Sequence, residues 1–374
     1  MTTTTTTSSS FIDSILDGKT LVSVEDAIAV HRHQHNNDDD DDDDDDSNRR
    51  RRVKFVDGSW FLGSERNGRR EYLDGPRIVD ARFVDIDEIA TRTSDGLPHM
   101  LPSPSLFGVA MDALDISVDD HVVVYGSHDC MFIARGYFQF RLMGHPQNKC
   151  HLLDGSLNDW IQAGGPIEEK GTTPKYPVIT YEDAVVQMTK DATTSTVGGG
   201  TVIKYPAKTP RTVVDMNELK SIISAAQGKT SGGGDDDKDD TVHDDDEDDD
   251  GTVTILVDVR SRARFLGQVD EPRPGLRLGH MPGAKNLFFM DLLDPNNKVR
   301  LKRSKHELEQ IVRNAGITLP LKSNERIVAT CGSGATACVL LLALDVLGEN
   351  PHQLYLYDGS WAEWGSHPDT PIVC

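Results

Sequence analysis

Arg326-Ile327-Val328-Ala329-Thr330-Cys331-Gly332-Ser333-Gly334-Ala335-Thr336-Ala337-Cys338 is the stretch whose reading decides the fold. Arg326–Thr330 is a short, mostly apolar strand, and the apolar run Val339–Leu347 beyond the quoted stretch is a helix. A strand that passes through a small-residue loop straight into a helix is the βα half of a βαβ unit, and such units build parallel sheets covered on both faces. Cys331 stands at the strand's C-terminal end and faces the helix N-terminus, where parallel α/β sheets place their ligands. The small residues let the backbone curl so that successive N–H groups point at the sulfur, and these donors with the helix dipole favour an anion. The thiolate is the nucleophilic form of cysteine, so Cys331 is the candidate nucleophile. Cys338, one helical turn further on, reads as core.

Working outward, the second half repeats the first. Leu153-Asp154-Gly155-Ser156-Leu157-Asn158-Asp159-Trp160 recurs as Tyr357-Asp358-Gly359-Ser360-Trp361-Ala362-Glu363-Trp364, at an offset of 204. Val56-Asp57 recurs as Val257-Asp258, Ala81 to Asp87 parallels Ala284 to Asp291, and Val122 to Ser127 parallels Ile327 to Ser333. Four matches in order at a nearly constant offset imply duplication of a domain-sized unit. Ser23 with Asp26, and Asp215 with Glu218, look like helix N-terminal caps. In each half that helix is followed by an acidic insertion and then by a strand, Val53–Val56 or Val253–Val257. Val122–Tyr125, Leu152–Leu153 and Leu354–Tyr357 are further strands. The boundaries predicted from this are a disordered tail 1–19, a first domain 20–168 with a disordered insert 34–52, a connection 169–212 carrying one helix near Tyr181–Met188, and a second domain 213–374 with a disordered insert 228–251.

The formal charge of −22 sits in two runs: Asp38 to Asp46 carries −9 and Asp235 to Asp250 carries −11, which leaves −2 for the rest. The folded part is therefore nearly neutral, which argues against a nucleic-acid surface. The run Arg49-Arg50-Arg51-Arg52 lies beside nine aspartates and reads as local neutralisation. No glycine-spaced calcium loop accompanies either acidic run. Five cysteines, without CxxC or zinc-type spacing, suggest a reducing compartment and no disulfide framework. No run approaches 18 apolar residues, so no membrane helix is expected. The Thr- and Ser-rich start is not a secretory signal, and Asp13, Asp17, Glu25 and Asp26 fit a transit peptide badly. A cytoplasmic monomer is expected, with a mitochondrial location open.

CGSGATAC at Cys331–Cys338 is similar to the active-site loop of mercaptopyruvate sulfurtransferases, members of the rhodanese superfamily, with Ala335 where they usually carry valine. Thiosulfate sulfurtransferases of the same superfamily place Arg and Lys after the cysteine, a charge that Gly332 and Ser333 do not supply. Val257 to Phe265 and Glu271 to Leu276 resemble the segment that carries two carboxylate-binding arginines, which by position are Arg264 and Arg273. Guanidinium forks suit a 2-oxo-carboxylate. Gly279-His280-Met281-Pro282-Gly283-Ala284 matches a second signature, and His280 reads as a hydrogen-bonded turn residue. In the first half, Asp85-Ile86-Asp87 and His99-Met100-Leu101-Pro102 match a block that faces the site in the family.

The resemblance covers residues from about 20 to 374 apart from the inserts. It implies an α/β fold of two tandem rhodanese-like domains, each a mainly parallel sheet with helices on both faces, with the site where they meet. It further implies sulfur transfer from 3-mercaptopyruvate through a Cys331 persulfide to a thiol such as thioredoxin, or to cyanide, with no cofactor and no metal. Asp87 and His99 would join Ser333 in a proton relay. Arg264 and Arg273, with the loop residues Gly332, Gly334, Ala335 and Thr336, would bind the donor. Thiosulfate as the donor, and a non-enzymatic sensor or scaffold, are the alternatives. A cysteine phosphatase of related fold is disfavoured because Ala337 stands where its phosphate-binding Arg must be. The first half has no equivalent nucleophile: Gly126 falls in the cysteine's place, and Cys130 beside Asp129 reads as inert. Where the second half has its His-x-Pro-Gly-Ala element, the first has Arg77-Ile78-Val79-Asp80-Ala81. Cys150 and Cys374 read as surface thiols.

Overall fold

The computed structural model describes residues 8–37, 52–63, 65–194, 203–231, 251–302 and 304–374. Both acidic runs, the Gly198–Gly200 stretch and Arg49–Arg51 lie outside them. The chain folds as two units, Met1–Arg211 with Leu292–Arg303, and Thr212–Asp291 with Ser304–Cys374.

The first unit opens with α1 (Ser8–Leu16), β1 (Leu21–Ser23), α2 (Val24–Asn37), β2 (Val53–Asp57) and α3 (Gly68–Asp74). It continues with β3 (Arg77–Ile78), β4 (Arg82–Phe83), α4 (Pro104–Ala113), β5 (His121–Gly126) and α5 (Ile133–Leu142). It closes with β6 (Cys150–Ser156), α6 (Leu157–Gln162), β7 (Ile167–Glu168) and α7 (Tyr181–Thr194). The second half of the chain runs β8 (Val213–Val214), α8 (Met216–Ser231), β9 (Val253–Asp258), α9 (Arg262–Phe265), β10 (Lys285–Asn286), β11 (Leu293–Asp294) and β12 (Asn297–Leu301). Then come α10 (Lys305–Asn314), β13 (Glu325–Thr330), α11 (Ala337–Leu347), β14 (Leu354–Tyr357) and α12 (Ser360–Trp364).

Each unit is built on one five-stranded sheet, ordered β1-β6-β5-β2-β4 in the first and β8-β14-β13-β9-β10 in the second. Every pairing within these two sheets is parallel. The registers coincide: Asp57 faces Tyr125 as Asp258 faces Thr330. Leu152 faces Val124 as Leu356 faces Ala329. Gly126 thus stands where Cys331 stands, and the repeat read from sequence is a repeat of strands in space. The capped helices are present as well: Asp26 N–H donates to Ser23 Oγ at 3.0 Å and Glu218 N–H to Asp215 Oδ1 at 2.9 Å.

Four features differ from the sequence reading. Part of the expected tail forms α1, because Ile12 and Leu16, four residues apart, bury their side chains to 1% and 0% exposure in the first unit's core. α2 and α8 continue to Asn37 and Ser231, into stretches read as insert. The connection belongs to the first unit: the helix expected near Tyr181–Met188 is present as α7, runs on to Thr194 and packs against α4, and Tyr205 is buried beside Phe107. Leu292–Arg303, taken from the middle of the second half, belongs to the first unit. There the β11–β12 hairpin lies against β6, with Arg300 Nε donating to Asp154 O at 3.0 Å and Asn297 Nδ2 to Asp159 Oδ2 at 2.7 Å.

Candidate active site

Cys331 follows β13 directly, as expected, and α11 begins at Ala337, two residues before the expected Val339. The thiol is almost fully buried, at 2% exposure. Gly334 adopts φ +75°, which only glycine takes without strain, and this turns the loop back toward the sheet.

The loop's amides divide into two sets, and here the expected cradle is corrected. Cys331 N–H and Gly334 N–H donate to Ser360 Oγ, at 3.1 and 3.0 Å, and so face that hydroxyl instead of the sulfur. Ser360 is fully buried and passes its own proton to Tyr357 O at 2.9 Å. The N–H groups of Gly332, Ser333, Ala335 and Thr336 have no protein acceptor among the described residues. They remain to bind a negative group at the loop. The loop's carbonyls are held by α12: Trp361 N–H donates to Cys331 O at 3.0 Å and Ala362 N–H to Gly332 O at 2.9 Å. Sequence reading took Ser360 only for a turn residue of the repeated Asp-Gly-Ser. Its recurrence in both halves is the signal that marks it.

Arg264 lies over the loop: a Cβ on Gly332 would stand 3.0 Å from Arg264 Nη2. Glu271 orients that guanidinium by accepting from Arg264 Nε, at 3.1 Å, and from Nη2. The other oxygen of Glu271 accepts from Arg260 Nη1 at 2.7 Å. Arg260, fully buried, also binds Asp258 through Nε and Nη2 and lies 4.0 Å over the Trp361 ring. Asp258, Arg260, Glu271 and Arg264 thus form a continuous row of alternating charge that ends beside the nucleophile, in which each buried charge has its partner. Arg260 and Glu271 were not singled out from sequence. Arg273 lies part-exposed beyond Glu271. His280 Nδ1 lies 2.8 Å from Phe265 O, in keeping with the hydrogen-bonded turn residue expected, and its ring stacks on Phe265 at 3.7 Å.

Asp87 and His99 meet in the first unit. His99 Nδ1 is 2.5 Å from Asp87 Oδ1, and the imidazole is 5% exposed. Asp87 N–H donates to Asp85 Oδ1 at 2.9 Å, and burial pushes the Asp85 carboxyl up to about 6. Ser333, the third member of the expected relay, belongs to the second unit, where it is 7% exposed.

At the loop equivalent to the nucleophile's, the first unit carries Gly126-Ser127, with Ser127 N–H donating to Ser59 Oγ at 2.8 Å. Arg66 and Glu71 pair beside it much as Arg264 and Glu271 do in the other copy. Cys130 is completely buried, and burial pushes its thiol up to about 12, with Asp57 and Arg66 acting more weakly in opposite senses. Burial, and not the neighbouring Asp129 as the sequence reading had it, is what raises this thiol. Cys150 is also fully buried, contrary to the surface role read for it, whereas Cys374 is exposed.

Fold and loop together define a rhodanese-type protein, and residues 240–367 match the model of the rhodanese-like domain. The chain is 32% identical to thiosulfate/3-mercaptopyruvate sulfurtransferase 1, mitochondrial, of Arabidopsis thaliana, over 86% of this chain and 73% of that protein. It is 31% identical to 3-mercaptopyruvate sulfurtransferase of Escherichia coli K12, over 82% of this chain and 86% of the relative. The structure of SseA from Escherichia coli aligns with a TM-score of 0.60 at 27% identity, covering 92% of this chain and 99% of that one. Tum1 from Saccharomyces cerevisiae shares the fold, with a TM-score of 0.67 at 24% identity over 95% and 98% of the two chains. The chain belongs to the thiosulfate/3-mercaptopyruvate sulfurtransferase family and is a sulfurtransferase. No helix among the described residues is long and apolar enough to cross a membrane.

Proposed function

We propose that the protein takes sulfur from 3-mercaptopyruvate on Cys331 and passes it to a thiol or to cyanide. The Cys331 thiolate attacks the donor's sulfur, an S–S bond forms, and the donor's C–S bond breaks. The electron pair of that bond leaves as pyruvate enolate, which is protonated at carbon to give pyruvate. Ser333, or the Asp87–His99 pair acting with it, delivers that proton. The Cys331 persulfide then yields its outer sulfur to an acceptor thiolate such as that of thioredoxin, and the Cys331 thiolate returns. Apart from that proton transfer, every bond made or broken in this cycle is a bond to sulfur.

One observation carries the reading: a nearly buried cysteine at a strand end, beneath a loop with four uncommitted N–H groups and the Arg264 guanidinium. A fork of this kind recognises a carboxylate, and the amides stabilise negative sulfur or oxygen. Arg273 is assigned to the same carboxylate. Gly332 and Ser333 add no cation of the sort that suits a dianion, which favours mercaptopyruvate over thiosulfate. The scaffold reading predicts no covalent change at all.

Intact-mass and peptide analysis after exposure to 3-mercaptopyruvate tests this. A gain of about 32 daltons at Cys331, the mass of one sulfur, is expected in the wild type and is absent in Cys331→Ser. Sulfur transfer by Cys331→Ser at the wild-type rate sinks the mechanism, and a kcat/KM higher for thiosulfate than for 3-mercaptopyruvate sinks the donor assignment. We also propose a cytoplasmic location, which recovery of the protein in the mitochondrial fraction would overturn.

A further inference from the structure

We propose that Trp60 is a positioning residue that holds Asp87 and His99 in working geometry; this rests on the reading that the pair serves the proton step. Trp60 Nε1–H donates to Asp87 Oδ2 at 2.7 Å, while the other carboxylate oxygen meets His99 Nδ1 at 2.5 Å. The indole also meets the imidazole edge-on, with ring centres 4.5 Å apart at 74°. One side chain therefore fixes the carboxylate through its N–H and the imidazole through its ring.

Asp87 needs such a hold, because its side chain is 51% exposed and water would otherwise compete for the oxygen that Trp60 occupies. Trp60 is itself fixed. Its carbonyl accepts from Cys130 Sγ at 3.4 Å, and its ring packs edge-on against Phe132 at 4.8 Å. His99 has φ +59°, and its carbonyl is gripped by Arg135, so the backbone side of the imidazole is fixed as well. The proposal places the imidazole proton on Nδ1, facing Asp87, which leaves Nε2 as the basic nitrogen that a proton relay requires.

Comparison of the two copies supports this assignment. In the shared register Asp57 matches Asp258, so Ser59-Trp60 occupies the place of Arg260-Ser261. Trp60 therefore stands in the place of Ser261 and Arg260 in that of Ser59; the copy with glycine at the nucleophile's place carries the indole, and the copy with Cys331 carries the arginine that anchors Glu271, one position earlier. The two-residue segment after the strand holds, through its second residue, a histidine–aspartate pair in one unit and, through its first, a guanidinium row in the other.

The test replaces Trp60 alone with its sulfur isostere, benzothienylalanine, which keeps the ring and removes the N–H; Trp60→Phe is the genetically encoded companion. Nitrogen-15 NMR of the His99 ring reads the tautomer directly. The wild type is expected to show a strongly downfield Nδ1–H proton, and both variants are expected to lose it, with kcat falling about tenfold and KM moving less than about twofold. An unchanged His99 proton signal in the isostere overturns the positioning role whatever the activity does. A lost signal with unchanged kcat upholds the positioning and refutes instead the proton role of the pair, which His99→Gln tests separately.

Discussion

Ser360 holds the nucleophile's loop through a hydroxyl whose bonding capacity is spent: it accepts from two loop amides and donates to Tyr357 O. Removing it strands two buried N–H groups, at about 1–3 kcal/mol each. Ser360→Ala is therefore expected to slow sulfur loading of Cys331 by at least about tenfold while the fold survives, read by time-resolved mass analysis. Loading at the wild-type rate would show that the loop holds itself. This residue also marks how far the site was legible. Cys331, Gly332 and Gly334 announced themselves because the chemistry needs them contiguous, and Arg264 came through the resemblance. Ser360 acts across 29 residues, and Glu271 across seven from Arg264, so their roles depend on which loops the sheet brings together.

At the scale of the element, the ends of β2 and β9 show one strand solved twice. β9 ends in Asp258 paired with Arg260; β2 ends in Asp57, wholly buried, with Ser59 N–H and no guanidinium. Burial pushes the Asp57 carboxyl up to about 6 from an ordinary 3.8. Between those values the folded state holds more protons than the unfolded one, so stability falls as pH rises through that window and is flat above it. Asp57→Asn keeps the acceptor for Ser59 and removes the charge. It is expected to stabilise the first unit by up to about 3 kcal/mol at pH 7.5 and by little below about pH 4, measured by denaturant unfolding at both. Destabilisation at the higher pH would count against it. Most strands were legible because they are short β-branched runs between turn signals, and the helix caps because Ser23 and Asp215 have acids three residues on. α1 was not, since its polar start hides a pair of apolar side chains whose burial only the sheet supplies.

At the scale of the molecule, the duplication was legible and the exact allotment of chain was not. A constant offset survives in the sequence because both sheets keep one strand order. The excursion of Leu292–Arg303 into the first unit left no such trace, because its hairpin has no counterpart in the first half and its partners, Asp154 and Asp159, are distant in sequence. Composition located the acidic runs without assigning them work. Replacing residues 38–51 and 232–250 with short Gly-Ser links is expected to leave kcat/KM within about twofold and the melting temperature within a few degrees, by steady-state kinetics and calorimetry. A larger loss would give those runs a part in the chemistry.

The direction of the strands explains why so much acid is tolerated. In the second unit the acidic run joins the chain just before β9, whereas the nucleophile comes just after the parallel β13, so about 17 Å of strand lies between splice point and sulfur. That domain thus has a working end and a servicing end, and its acidic run joins at the latter. A fluorophore, tether or affinity handle grafted there should travel with the enzyme while the reactive end stays clear.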